Sequence, residues 1–245
     1  MGLRVGTRER KQREVAEREQ LFLDTARELI REDGLLNLVM SRIAKECDYA
    51  VGTLYQHFAS KEDLLIALAT VNEKYRLELF QRVENWQAPS RDRMFGLPVA
   101  DMMFVRQYPE HFRLAQFAYT EVVWGAASES RRAQALQGSR PIGELVARIV
   151  TDAADCGDLD LKGLKPNELA LAPWTVTLGT HNLVHAEGVL EQYEMRDPYR
   201  LMLRHVQNML NGLGWQPLFD PSDAVALDKK IKQLCNEVFH DLAHD

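Results

Sequence analysis

Between Ser41 and Leu64 the chain reads Ser-Arg-Ile-Ala-Lys-Glu-Cys-Asp-Tyr-Ala-Val-Gly-Thr-Leu-Tyr-Gln-His-Phe-Ala-Ser-Lys-Glu-Asp-Leu, and no other stretch constrains the fold as much. Met40, Ile43, Ala44 and Cys47 recur at i, i+3, i+4, i+7, and so do Val51, Leu54, Tyr55 and Phe58. That spacing gives each of two short helices a single apolar stripe. Asp48 falls where the turn between them needs a left-handed residue, a conformation Asp tolerates better than most. Helices this short cannot close a core by themselves. The missing partner lies upstream, where Phe22, Ala26, Leu29 and Ile30 form the same stripe on a helix of about residues 13 to 32 that stops near Asp33-Gly34. The spacing therefore predicts three helices around one small core, a helix-turn-helix.

If Leu54 and Phe58 face that core, Gly52, Thr53, Gln56 and His57 point away from it, with Tyr55 at the border. Thr, Tyr and His donate hydrogen bonds to phosphate oxygens, and Gln can read adenine N6 and N7 together from the major groove. An amphipathic hairpin packed for structure alone satisfies the same apolar pattern. Ser60-Lys61-Glu62-Asp63 reads as a capping box opening a helix that runs to about Val83. Lys61 in its first turn opposes the helix dipole, a placement that a nearby phosphate would explain.

The run Gly-Thr-Leu-Tyr-Gln-His-Phe-Ala-Ser-Lys-Glu-Asp-Leu-Leu at 52 to 65, with Gly34 and Ile43-Ala44, resembles the recognition helix and following helix of TetR-type transcriptional regulators. The resemblance covers about residues 15 to 70. It implies an all-α homodimeric repressor that binds a palindromic operator in double-stranded DNA and is released by an effector held in a variable C-terminal domain. By that match Thr53, Tyr55, His57 and Lys61 fall on phosphate-contacting positions and Gln56 on a base-facing one; Arg42 is counted with them. Three residues depart from the family pattern: Val39 and Ala50 stand where Ser or Thr caps the two short helices, and Asp48 replaces Gly. A missing cap costs ~1 kcal/mol, so the free reading head is expected to fray and to order on DNA.

Charge is uneven. Arg4, Arg8, Arg10, Lys11 and Arg13 stand against Glu9 in the first 13 residues, a basic arm suited to the DNA backbone or a minor groove, or simply a solubilising terminus. Residues 1 to 61 hold 11 basic and 10 acidic side chains and the remainder 19 and 26, which together give the net −6. A basic tail on an acidic body fits a chain that meets nucleic acid at one end. The 245 residues, 46% of them hydrophobic, suffice for a small and a larger domain. We expect a DNA-binding domain at 1–62 and an effector-binding and dimerisation domain at 63–245. No run of about 18 apolar residues and no signal-peptide core occur, so the expected location is the cytoplasm, with no membrane partner. Cys47, Cys156 and Cys235 suggest neither a disulfide framework nor a zinc site.

After Gln87-Ala88-Pro89-Ser90 the pattern is helical throughout, with expected helices at about 91–107, 109–120, 130–156, 166–191, 197–212 and 222–243, and a kink near Gly96 and Pro98. The fold class is all-α: an N-terminal three-helix head and a C-terminal bundle. Phe95, Met102, Met103, Phe112 and Trp174 are candidate lining for a cavity between helices, with Gln116, Tyr119 and His181, beside Asn182, as polar groups able to orient a small, mostly hydrophobic effector. Structural core is the competing role for each. His181 and His185 share metal-ligand spacing but lack an adjacent Glu, so no metal and no cofactor is expected. Residues of about 166–213 carry long apolar stripes suited to a homodimeric four-helix contact. The last helix has no assigned role. No nucleophile-base pair or carboxylate pair appears at interpretable spacing, which argues against an enzyme. An architectural DNA-binding protein without effector remains the other alternative.

Overall fold

In the computed structural model, residues 6–242 are described, and among them the only regular elements are helices. Eleven α-helices follow in order: α1 Thr7–Asp33, α2 Met40–Glu46, α3 Val51–His57, α4 Lys61–Glu84, α5 Ser90–Gln107, α6 Pro109–Ala118, α7 Glu121–Ala126, α8 Glu129–Asp155, α9 Pro166–Val184, α10 Pro198–Gly212 and α11 Ala224–Val238. The fold is all-α, as the spacing predicts. No helix among the described residues is long and apolar enough to cross a membrane. The chain divides into two compact units, Met1–Asn72 with Glu110–Gly138, and Glu73–Pro109 with Ser139–Asp245.

In the first unit Phe22, Ala26 and Leu29 of α1 meet Met40, Ile43, Ala44 and Cys47 of α2 and its end, and Leu54 and Phe58 of α3 and its end, all buried. These are the predicted stripes, except that Val51 and Tyr55 are exposed. The core is larger than three helices, because Leu64 to Ala69 of α4, Leu114 and Ala118 of α6, Val123 and Ala127 around α7, and Ala135 of α8 join it. Here α8 and α4 run close together: a Cβ on Gly138 would lie 2.7 Å from Thr70 Cγ2.

In the second unit α5, α9 and α10 pack pairwise. Along α5, 13 of 18 residues are buried, including Arg91 and Asp101. A helix buried nearly all round must carry its charged residues inside. The helix continues through Pro98. A Cβ on Gly96 would come within 2.8 Å of Val83 and 3.4 Å of Leu234, so α5, the end of α4 and α11 meet there. The unassigned last helix is thus docked: Lys230 pairs with Asp92 at 2.7 Å, Asp228 accepts from Nε and Nη2 of Arg200, and Trp86 donates to Glu237.

Several boundaries differ from expectation. The first helix starts at Thr7 rather than near 13, held there by Arg10–Glu14 and Arg13–Glu17 pairs at i, i+4. The expected helix at 109–120 runs Pro109–Ala118, and a short helix not among the expected ones, Glu121–Ala126, follows it, capped by Thr120, which accepts Val123 N–H. The helix from Pro166 stops at Val184, short of 191, where His185 and Gly188, at φ 82°, turn the chain.

Candidate nucleic-acid interface

Leu54 and Phe58, both fully buried, fix which side of α3 faces out. Asp48 enters the turn at φ 58°, the left-handed conformation expected of it, and Tyr49 N–H bonds Ala44 O across the bend. Gln56 and Tyr55 are exposed on the outer side, and Thr53 is half-buried. Neither Val39 nor Ala50 supplies a side-chain cap, as the sequence implies.

His57 departs from the expected outward orientation. Its ring packs edge-on against Phe22 at 5.4 Å, leaves the side chain only 6% exposed, and sets Nδ1 3.8 Å from the Glu19 carboxylate. Helical spacing fixes where the Cβ of a residue starts; at the last position of α3 the side chain folds back onto the aromatic ring of α1 instead. Glu19 also receives both terminal nitrogens of Arg131 at 3.4 Å. That guanidinium donates as well to His57 O at 3.2 Å and lies 5.1 Å over the Phe58 ring. One α8 side chain therefore holds the C-terminal end of the recognition helix, satisfying a carbonyl that has no partner within α3.

Of the predicted capping box, half is present. Ser60 Oγ accepts Asp63 N–H at 3.1 Å, but the Asp63 carboxylate turns to Ser128, taking its N–H at 2.7 Å and its hydroxyl at 2.8 Å. Asp63 is thereby buried and satisfied by two donors. Lys61 reaches Leu36 O at 3.2 Å, which ties the start of α4 to the turn before α2. Arg42 is tied back by Asp33, with Glu32 3.7 Å away, so a phosphate would have to compete for it. Arg4 of the basic arm lies outside the described residues; the rest of the arm is helical.

The effector candidates divide between the units. Phe112 (buried), Gln116 (half-buried) and Tyr119 (exposed, its ring 5.3 Å from Trp124) belong to the first. Phe95, Met102, Met103, Trp174 and His181 belong to the second. There Phe95, Met102 and His181 are buried and Met103 half-buried, whereas Trp174 is 53% exposed, in line with Leu171 and Leu178 on the outer face of α9.

Around His181 lie charged groups that sequence reading did not single out. Arg76 makes a two-point bond to Asp101, at 2.5 and 2.9 Å, with Glu73 3.7 Å from the guanidinium. Burial raises the Glu73 pKa, with Asp101 adding to the rise and Arg76 opposing it. Burial pushes the His181 pKa down to about 4; Arg76 and His185 act in the same direction and Asp101 against it. The ring is therefore neutral at pH 7, with Nδ1 3.3 Å from the Tyr199 hydroxyl. His185 Nδ1 instead bonds His181 O at 2.9 Å. A signal for the buried charges existed: neither α4 beyond Asn72 nor α5 has a clean polar face, so their charges could not all reach water.

Leu54 and Phe58 hold a short helix by its inner side and leave Tyr55 and Gln56 outward, and the two core helices before it complete a helix-turn-helix. The fold and site define a helix-turn-helix DNA-binding protein with a helical body. Residues 22–68 match the family of bacterial regulatory proteins of the tetR type. The HTH-type transcriptional regulator UidR of Escherichia coli strain K12 is 26% identical over 187 residues, 74% of this chain and 89% of UidR. An HTH-type transcriptional regulator of Staphylococcus aureus strain USA300 is 42% identical over 52 residues, 21% of this chain and 28% of its own. Among solved structures, RolR in complex with resorcinol has a TM-score of 0.58 at 15% identity, covering 91% of this chain and 96% of RolR. A tetR-family regulatory protein of Rhodococcus RHA1 has a TM-score of 0.57 at 19% identity, covering 80% and 97%. The two structures share the fold; the tetR-type match of residues 22–68 and the helix-turn-helix geometry mark the head as the DNA-binding domain of a transcriptional regulator.

Proposed function

We propose that this regulator is a repressor that binds a palindromic operator as a homodimer and lets go when a small, mostly hydrophobic effector enters its helical body. The observation that carries the reading is the outward placement of Tyr55 and Gln56 on a recognition helix fixed by buried Leu54 and Phe58. Gln56 reads a base edge, Thr53 and Tyr55 bond phosphates, and Lys61 and Arg42 add charge once phosphate displaces their present partners. In the DNA-free chain His57 braces α3 from inside.

Dimerisation is supported by an exposed apolar row, Leu171, Trp174 and Leu178 on α9, with Leu201 on α10. Such a row on a monomer favours self-association, and a two-fold contact would set two recognition helices on successive half-sites. Trp174 belongs to that contact in this reading rather than to the effector site. For the effector, Phe95, Met102 and Met103 offer apolar surface and His181 a neutral polar atom, and the same fold holds resorcinol in RolR. An effector that prefers the dimer with misplaced reading heads weakens operator binding by the same factor, of order 1–3 kcal/mol.

Sedimentation of the protein with duplexes it selects from a random pool tests this. The expected result is two chains per palindromic duplex, with log-log salt slopes of about −0.9 per phosphate contact. A monomer that ignores duplex DNA at low salt refutes it.

A further inference from the structure

Arg8, Lys11, Val15, Arg18 and Phe22 recur along α1 at i, i+3, i+7, i+10 and i+14, so they form one line on its surface. Phe22 ends that line inside the core, 5.4 Å from the rings of both Tyr49, just before the recognition helix, and His57, its last residue. The side of α1 bearing the line is therefore the side on which α3 sits. Arg18 continues the line at the edge of the domain, its guanidinium 5.3 Å over the Tyr49 ring. Beyond that, Arg8, Lys11 and Val15 are exposed, with no domain core beneath them.

The charges along this stretch are sorted by face. Arg10 and Arg13 are neutralised by Glu14 and Glu17, at 2.9 and 2.8 Å, and Glu9 bonds the Gly6 N–H at the start of the helix. No acid pairs with Arg8, Lys11 or Arg18 among the described residues. Glu14, three residues after Lys11 and four before Arg18, is taken by Arg10, and Glu19 is engaged by Arg131 and faces His57.

We infer that the first three turns of α1 form a phosphate-binding rail, in which Arg8 and Lys11 grip the duplex backbone just outside the operator half-site read by α3. The inference rests on the DNA-reading assignment of α3 and adds a second, sequence-independent contact to it. Ten residues of helix from Arg18 to Arg8 span ~15 Å, the length of about four or five base pairs at ~3.4 Å each. A helix cannot thread a minor groove as an extended arm does, but it can lie along the backbone. Because the rail is a continuation of the docked α1, its register relative to α3 is set before DNA arrives, so little ordering entropy opposes binding.

The test pairs two double variants on two duplex lengths, by fluorescence anisotropy. Arg8→Gln with Lys11→Gln removes the rail; Lys229→Gln with Lys232→Gln removes equal charge from exposed positions of α11, far along the chain from the rail. On a selected palindrome flanked by about ten extra base pairs each side, the rail variant should show a salt slope shallower by about 0.9 per lost contact, up to ~3.6 for a dimer. Relative to it, the parent should lose roughly a hundredfold more affinity between about 50 and about 200 mM salt. On the same palindrome trimmed flush, parent and rail variant should bind alike, and the control pair should match the parent on both. Equal losses for the two variants, or a rail effect that survives trimming, overturns the inference while the α3 assignment stands. A parent that binds no duplex of either length overturns the α3 assignment and the rail with it.

Discussion

The two compact units treat polar groups in opposite ways. In the unit that carries the reading head, the described buried polar side chains are Asp63 and Asn72, and the groups proposed for recognition stay at the surface. In the other, Ser90, Arg91, Asp101, Thr177, His181 and Gln207 are all inside. Arg91 alone donates to four oxygens at the end of α10 and just beyond it, Trp215 O, Gln207 O and Oε1, and Asn211 Oδ1. Burial lowers its pKa to about 10, still well above neutrality, so a full charge sits on neutral acceptors at a helix C-terminus, where the dipole favours a cation. The head is thus an apolar core with a working surface. The body is organised by interior polar contacts that must all be present together.

Breaking that contrast should be most damaging at Arg91. Arg91→Met strands the acceptors just named, and urea unfolding should show a loss of about 3 to 5 kcal/mol; a loss under 1 would mean the interior contacts are dispensable. Next in size is the pH response of His181. Below its ordinary value of 6.5 the unfolded chain takes up a proton that the folded ring, at about 4, refuses, so stability falls as pH drops through that window and is unaffected above it. The full loss is about 3 kcal/mol. His181→Gln should remove that part of the slope between pH 6.5 and 4 while leaving the carboxylate contribution.

The head should respond in binding more than in stability. Arg131→Met frees the end of α3, and we expect about tenfold weaker operator binding, ~1.4 kcal/mol, with Arg131→Lys recovering part of it. The smallest effects are gains: Val39→Thr and Ala50→Ser should each add ~1 kcal/mol through new caps and slow amide exchange in α2 and α3. Unchanged exchange would show that the bare caps do not loosen the head.

Much of the head was legible in the sequence because a 3.6-residue apolar period on short helices leaves few ways to pack. Phe22, Ile43, Leu54 and Phe58 are buried where that period puts them, and Asp48 takes the left-handed turn. The extension of α1 back to Thr7 was not legible, since it is held by charge pairs rather than an apolar stripe. Nor was the inward ring of His57, which depends on Phe22, 35 residues away in the chain. In the body, periodicity located the helices but could not say which charges follow them inside. Arg91 and the Arg76–Asp101 pair depend on partners 25 to over 100 residues distant.

The recognition helix is tested most directly by repeating duplex selection with Gln56→Ala beside the parent. The account predicts that both recover the same palindrome, with preference relaxed by ~1–3 kcal/mol at one position in each half-site for the variant alone. Identical base preferences and affinities for the two proteins would mean that α3 does not lie in the groove.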